Sequence, residues 1–441
     1  MIKLIYRIES DYMSKKRMLI VTSVTLSVVT ISLGIVKLYQ TYALSNYIGT
    51  VTDTGIDVYI NDDSYASIPA NGSSNVYYML TNTNPGTVKY GVAYQTTSGV
   101  TVKVYDTSED PATGTIEEND KKYIKLHLEN KNSTNKTIEL STVLGYENGG
   151  DLVVPSGVTL VTDTYTPPPT AAEYITKLYT TASKTTVTNN SITYNTAPSV
   201  SLMNDRLGGT TTDLDGGNIR YYGANPNNYI YFNCSDYSNQ TSSTCETWRI
   251  IGVFDGKLKL IRGSQIGTYS WDNKDTSTGA ESNFGKNDWT TARLMKLLNP
   301  SDYYTTDSND NNLGQGLYYN SASGKCYSGQ NNATVDCNFT STGIKNDITR
   351  NMIAETTYNL GGWNSNTVYP NLMYEKERGT TVYTGRPTTP WTGKIALAYT
   401  SDYGYAADLN QCKDKTLYDY NNSTCTSNNW MKAIITNNGS N

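Results

Sequence analysis

The chain of 441 residues has a net charge of −5, only 17% charged residues and a mean hydropathy of −0.51. A pI near 5.2 excludes the basic face that nucleic-acid binding requires, and the length admits two or three domains. Polarity is carried by Thr, Ser, Asn, Gly and Tyr, with 38 Tyr against 4 Phe. Tyr joins a large apolar face to a wettable hydroxyl and suits half-exposed β-surfaces and binding faces.

Met18–Val36 (MLIVTSVTLSVVTISLGIV) carries no charge. As a helix it would reach about 28 Å, close to the hydrocarbon thickness of a bilayer. Lys15, Lys16 and Arg17 precede it and only Lys37 follows before Asp53. The positive-inside bias then makes residues 1–17 a cytoplasmic tail, residues 18–36 a transmembrane anchor and the remainder extracellular. A cleaved signal peptide ending near Thr41-Tyr42-Ala43 is the competing reading. The uncleaved anchor is favoured because the apolar run exceeds a usual signal core.

Residues 46–162 read as short alternating segments: Val88, Tyr90, Val92 and Tyr94; Val100, Val102 and Val104; Ile124, Leu126 and Leu128; Ile138 and Leu140. Period-two spacing of this kind predicts an antiparallel sandwich with one face of each sheet buried. Six or seven strands in that length fit an immunoglobulin-like module without a disulfide. The single His, His127, stands between Leu126 and Leu128 and is expected to face solvent.

Residues 163–218 are expected as a linker. Pro167-Pro168-Pro169 is extended and stiff, and Thr170 caps a short amphipathic helix over 171–180 that buries Tyr174, Ile175 and Leu178. From Ala182 to Asn218 the pattern predicts loop.

Residues 219–441 hold all six Cys, all six Trp and all four Phe, a core chemistry that marks a separate domain. A hairpin is predicted from Thr247–Phe254 and Lys257–Ile261 around Asp255-Gly256, a type I′ turn signal. Its two-residue loop would pair Phe254 with Lys257, Val253 with Leu258, Ile251 with Leu260 and Ile250 with Ile261. Asp288 is expected to cap a helix over Trp289–Leu298 that Pro300 ends. A second helix is expected over Ile344–Asn359 from the four-residue spacing of Ile344, Ile348 and Met352, and a strand over Lys394–Tyr399. The region therefore reads as α+β.

Cys234/Cys245, Cys326/Cys337 and Cys412/Cys425 form three local couples. Six Cys allow 15 pairings, and the repeated short spacing favours nearest-neighbour disulfides in an oxidising compartment. Zinc is disfavoured because close Cys spacing is missing.

Trp248–Arg262, Asn287–Leu298, Thr342–Asn359 and Ser401–Ala407 (SDYGYAA) resemble a family of uncharacterised bacterial surface modules with a C-type-lectin-like fold. The resemblance covers about residues 219–441 and implies no chemistry, because the family carries none. It also implies further closing strands beyond Asn441, without which the ligand face would be incomplete. Neither Glu-Pro-Asn nor Gln-Pro-Asp occurs, so calcium-bridged sugar binding is not implied.

With no His in this region, Ser-His-Asp and Cys-His nucleophilic sites are excluded there. Glu246, Asp272, Asp288, Asp402 and Asp408 leave a paired-carboxylate hydrolase as the rival reading. Asp213-Leu214-Asp215-Gly216-Gly217-Asn218 and Asp307-Ser308-Asn309-Asp310-Asn311 offer alternating oxygen ligands for calcium, without a bidentate Glu at the twelfth position; no other cofactor is expected. Trp271, Trp363, Tyr403 and Tyr405, read as loop aromatics beside polar groups, are the candidate ligand-binding face. The expectation is a membrane-anchored extracellular protein that binds a glycan or protein, without enzymatic activity. A structural surface-layer role is the third reading.

Overall fold

The computed structural model describes residues 44–52, 55–57, 65–82, 86–146, 152–207, 213–274, 285–305, 313–363, 366–379, 390–413 and 415–436. The tail 1–17, the apolar run Met18–Val36 and the Asp307–Asn311 cluster lie outside the described residues. Contacts divide the chain into two units, Met1–Pro168 and Pro169–Asn441.

Among its described residues the first unit is all β. Its strands are β1 (Leu44–Thr52), β2 (Gly55–Asp57), β3 (Tyr65–Ile68), β4 (Gly72–Asn82), β5 (Val88–Gln95), β6 (Val100–Tyr105), β7 (Thr113–Ile116), β8 (Lys121–Asn130), β9 (Lys136–Tyr146), β10 (Val158–Leu160) and β11 (Thr164–Tyr165). One sheet runs β11-β6-β8-β4-β1-β2, and the other runs β10-β5-β9-β3 with β7 alongside β5. Alternation dictates the core: Tyr78 and Leu80 from β4, Tyr90 and Val92 from β5, Ile124, Leu126 and Leu128 from β8, and Ile138 and Leu140 from β9 are fully buried in one cluster. A one-residue slip would turn each of these sets to the wrong face, so the pattern fixes the register.

His127 departs from expectation. Its side chain lies on the outer face of β8, as period two requires, yet it is only 5% exposed. Tyr165 of β11 stacks on it at 3.6 Å with a 7° interplanar angle, and Tyr105 closes the cage edge-on. The start of the supposed linker is thus a strand, parallel to β6. Burial lowers the His127 pKa against the pull of Glu129, whose carboxylate lies 3.4 Å from Nε2. A base whose pKa is lower in the fold than when unfolded costs the folded state stability as pH falls through the unfolded value of about 6.5. The first unit is expected to melt at lower temperature near pH 5 than near pH 7. A His127→Gln variant should lack that difference in thermal scans followed by Tyr fluorescence.

The second unit begins with α1 (Ala171–Thr181), where Thr170 and Glu173 form a reciprocal capping box as the sequence requires. Ala172, Ile175 and Tyr179 are its buried residues, whereas Tyr174, expected inward, is 55% exposed. The expected loop after it is instead β12 (Thr185–Asn189), β13 (Ile192–Ala197) and β14 (Leu202–Asn204). These join β15 (Ile219–Tyr221), β16 (Tyr229–Phe232), β17 (Glu246–Phe254) and β18 (Lys257–Arg262) in a seven-stranded sheet.

The Asp255-Gly256 turn takes positive φ at both residues, 48° and 72°, as a type I′ turn demands. The predicted pairs Phe254–Lys257 and Val253–Leu258 form, but a bulge at Ile251 then slips the register, so that Ile250 meets Leu260 and Arg249 meets Ile261. The bulge puts Ile250 and Val253, three residues apart, on one face. Ile250 and Val253 pack beneath α1, while Ile251 packs with Ala406, Trp430 and Met431 on the other side. Gly252 is required at this point because a Cβ there would stand 2.2 Å from the Ile219 carbonyl oxygen of the adjoining β15. Gly252→Ala is expected to destabilise the second unit by about 1–3 kcal/mol in urea titrations.

The remaining elements are α2 (Arg293–Leu298), β19 (Ser323–Tyr327), β20 (Thr334–Asn338), α3 (Asp347–Met352), β21 (Thr356–Tyr358), α4 (Pro370–Arg378), β22 (Trp391–Gly393), α5 (Thr400–Tyr405), α6 (Ser423–Ser427) and α7 (Trp430–Thr436). An aromatic cluster around Trp289, Tyr318, Phe339 and Trp391 fills the middle of this stretch.

The expected fold class is corrected here. Among the described residues the chain is mostly β-sheet with few, short helices, and no helix is long and apolar enough to cross a membrane. The first unit has more strands than the six or seven expected, and the α+β class expected beyond residue 219 gives way to this mostly β description of the chain. The Asp288-capped helix is confined to Arg293–Leu298, with Asp288 capping a separate turn through the Thr290 N–H. The Ile344–Asn359 helix is confined to Asp347–Met352: Ile344 is buried, but Ile348 and Met352 are 54% and 45% exposed. Their four-residue spacing therefore does not mark a core face. Thr356-Thr357-Tyr358 instead pairs with Trp391–Gly393, and Lys394–Tyr399 forms no strand.

Candidate functional site

The three disulfides are Cys234–Cys245, Cys326–Cys337 and Cys412–Cys425, and no Cys is free. This is the usage of an extracellular or secreted protein.

The four aromatic candidates do not form one face. Tyr405 is fully buried on α5, packed edge-on against Tyr194 at 6.0 Å. Tyr403, also on α5, is half-buried against Tyr420. Trp271 belongs to the aromatic cluster, tilted on Trp289 at 5.4 Å with its indole N–H donated to the Lys286 carbonyl. Trp363 is 40% exposed, but Lys376 covers one ring face at 4.4 Å. Ser401–Tyr405 of the SDYGYAA string, read as a loop, lies in the helix Thr400–Tyr405, where Asp402 at the third helical residue accepts the Tyr399 N–H (3.0 Å).

The candidate acids are held by the fold. Glu246 accepts from Arg262 and from the Trp248 indole. Asp272 is fully buried and accepts the Lys286 N–H, and burial pushes its pKa up. Asp288 caps its turn, and Asp408 accepts the Asn410 N–H.

Asp402 lies at the centre of a buried charge network. Arg220 Nη1 donates to it at 2.8 Å and Lys259 Nζ at 2.5 Å, while Arg220 Nε donates to Asp205. Arg220, Asp205 and Asp402 are each 1% exposed. Burial alone would raise the Asp402 pKa; Lys259 and Arg220 outweigh it and hold the value at about 2. Beside it, Glu377 accepts the Ser401 N–H (2.9 Å) and hydroxyl, and burial raises its pKa. This network ties α4 and α5 to the sheet.

The Asp213–Asn218 segment is similarly engaged. Asp213 accepts the Asp215 N–H, and Asp215 accepts from Tyr179 and Asn195. Among the described residues no group of three or more His, Cys, Asp or Glu is disposed to hold a metal.

A different aromatic feature is open. Tyr229 and Tyr231, two apart on β16, are 52% and 40% exposed and share one side of the strand. Beneath Tyr229 the Arg249 guanidinium lies 3.9 Å from the ring, and its centre lies 4.8 Å from the buried Trp430 ring. Arg249 is fixed by Asn228 Oδ1 and the Pro226 carbonyl. The Cys234–Cys245 disulfide closes the other end of the β16–β17 pair, beyond the Phe232–Glu246 rung. The result is a tyrosine platform with little freedom to move. The alternation Tyr229-Ile230-Tyr231-Phe232 was the sequence signal for it, and its shortness hid it. No protein-family model, curated protein or solved structure matches the chain.

Proposed function

We propose that this is an exported surface protein that binds an extracellular ligand without catalysis, through the tyrosine platform of β16. The supporting observation is the open Tyr229 ring, held on Arg249 and Trp430 beside exposed Tyr231. Flat aromatic faces on a rigid support stack on sugar rings and on extended peptides with little entropic cost. The engagement of Glu246, Asp272, Asp288, Asp402 and Asp408 in caps, ion pairs and hydrogen bonds favours binding over the paired-acid hydrolase. The apolar run Met18–Val36 would keep the chain at the membrane, and proteolysis of intact cells, with loss of the bulk of the chain, would support that topology.

Glycan and peptide arrays probed with the chain from Leu44 onward test the binding reading. A Tyr229→Ala/Tyr231→Ala variant is expected to lose about 1–3 kcal/mol, or roughly five- to more than a hundredfold in affinity. A ligand retained at full affinity by that variant would move the site elsewhere, with Trp363→Ala as the next arm.

A further inference from the structure

Alternation decides which backbone groups of β16 face β17. The Ile250 N–H donates to the Asn228 carbonyl (2.8 Å), and Asn228 Nδ2 donates to the Ile250 carbonyl (2.8 Å). The rung joining residues 228 and 250 is therefore hydrogen-bonded. In an antiparallel ladder every second rung repeats this, so the Ile230–Trp248 and Phe232–Glu246 rungs carry the β16–β17 bonds. The N–H and C=O groups of Tyr229 and Tyr231 consequently point away from β17. In the sheet β16 is a terminal strand, and neither tyrosine makes a further backbone hydrogen bond among the described residues.

An open edge of this kind is a template for another strand. Natural edges are commonly blunted by Lys, Pro or an inward charge, and Tyr-Ile-Tyr-Phe contains none of these. Its free groups are also symmetric: Tyr229-Ile230-Tyr231 reads the same in both directions. A two-fold interface requires a patch that is complementary to itself, and an antiparallel edge centred on Ile230 satisfies this.

We propose that β16 is a self-association edge, at which two copies of this chain pair antiparallel about a two-fold axis through Ile230. Tyr229 of each copy then stands opposite Tyr231 of the other, and each such rung exchanges both N–H···O=C bonds. The tyrosine rings meet as cross-strand aromatic pairs. No like charges oppose one another across the strand. The edge is four residues long, well below what a stable interface of about 1,200 Å² needs. The contact therefore belongs to the weak class and gains from chains concentrated at one surface. The pairing uses the backbone edge together with the two tyrosine rings that the proposed ligand site also uses, and sedimentation in the absence of ligand reads the association by itself.

Sedimentation velocity over a concentration series, on the chain from Leu44 onward, reads the association. A reversible monomer–dimer equilibrium is expected for the native chain. Tyr231→Pro removes an outward N–H while sparing the β16–β17 ladder, and it should abolish the dimer with an unchanged thermal transition. Tyr229→Ala/Tyr231→Ala, which keeps both N–H groups, should weaken the dimer less than Tyr231→Pro does. As a check that does not depend on proline, a Tyr229→Lys/Tyr231→Lys chain should be monomeric alone and should pair with a Tyr229→Glu/Tyr231→Glu chain on mixing. A native chain that is monomeric throughout, or a dimer that persists in Tyr231→Pro, overturns the proposal. Failure of the two charged chains to pair on mixing counts equally against it.

Discussion

Reductant at neutral pH is expected to unfold the second unit while the first stays folded. All six Cys lie in the second unit, in bridges with sequence separations of 11, 11 and 13. Loops of that size contribute about 2–3 kcal/mol each in the chain-entropy account, so roughly 6–9 kcal/mol together. That is comparable with the whole stability of an ordinary domain, about 5–15 kcal/mol. The composition supplies the readout. Every Trp lies in the second unit, so Trp emission reports that unit, whereas far-ultraviolet circular dichroism also records the β-sandwich. Trp emission should move to longer wavelength on reduction while much of the β signal persists. Unmoved Trp emission with fully reduced thiols would mean that the bridges are not what holds this unit, and would weaken the argument for an oxidising compartment.

The elements legible in the sequence are those whose signals are local. The Thr170 cap, the Asp255-Gly256 turn and the short Cys couples each need only a dozen residues of context. The alternating apolar residues of β5, β6, β8 and β9 were legible for the same reason. Each inward residue of such a strand meets one continuous core, and period two records that directly.

What escaped was set by distant partners. His127 is covered because Tyr165 returns along β6, and nothing near residue 127 announces this. The slip after Val253 follows from Gly252 abutting β15, and a turn signal cannot anticipate it. Ile344, Ile348 and Met352 have helical spacing, but only Ile344 finds a core, so the periodicity predicted a longer helix than tertiary packing supports. Tyr405 looked like a loop aromatic because Asp402, the residue that makes its segment helical, is bound to Arg220, 182 positions away. The tyrosine platform was hidden for a related reason: β16 is short, and its rigidity comes from Arg249 and Trp430 on other elements.

Substituting Asp402 by Asn is expected to cost the second unit about 3–5 kcal/mol, the usual consequence of removing one partner from a buried ion pair. Asn preserves shape but leaves Arg220, 1% exposed, facing Asp205 alone, and deprives Lys259 of its carboxylate. The pH dependence follows from the direction of the shift. The Asp402 carboxyl is held at about 2 in the fold against an ordinary value of 3.8. Its charge therefore stabilises the folded state fully above about pH 4, and that contribution is lost as pH falls toward 2. Native and Asp402→Asn chains should differ most near pH 7 and converge on acidification, measured by urea titration of Trp emission. Replacing Arg220, Lys259, Asp205 and Asp402 together by apolar residues of similar volume should cost less than Asp402→Asn alone, because the penalty arises from stranded charge. A loss below about 1 kcal/mol in the single variant, the range of an exposed pair, would show that water reaches the network. The tie between α5 and the sheet would then rest on packing around Tyr405, Ala406 and Trp430.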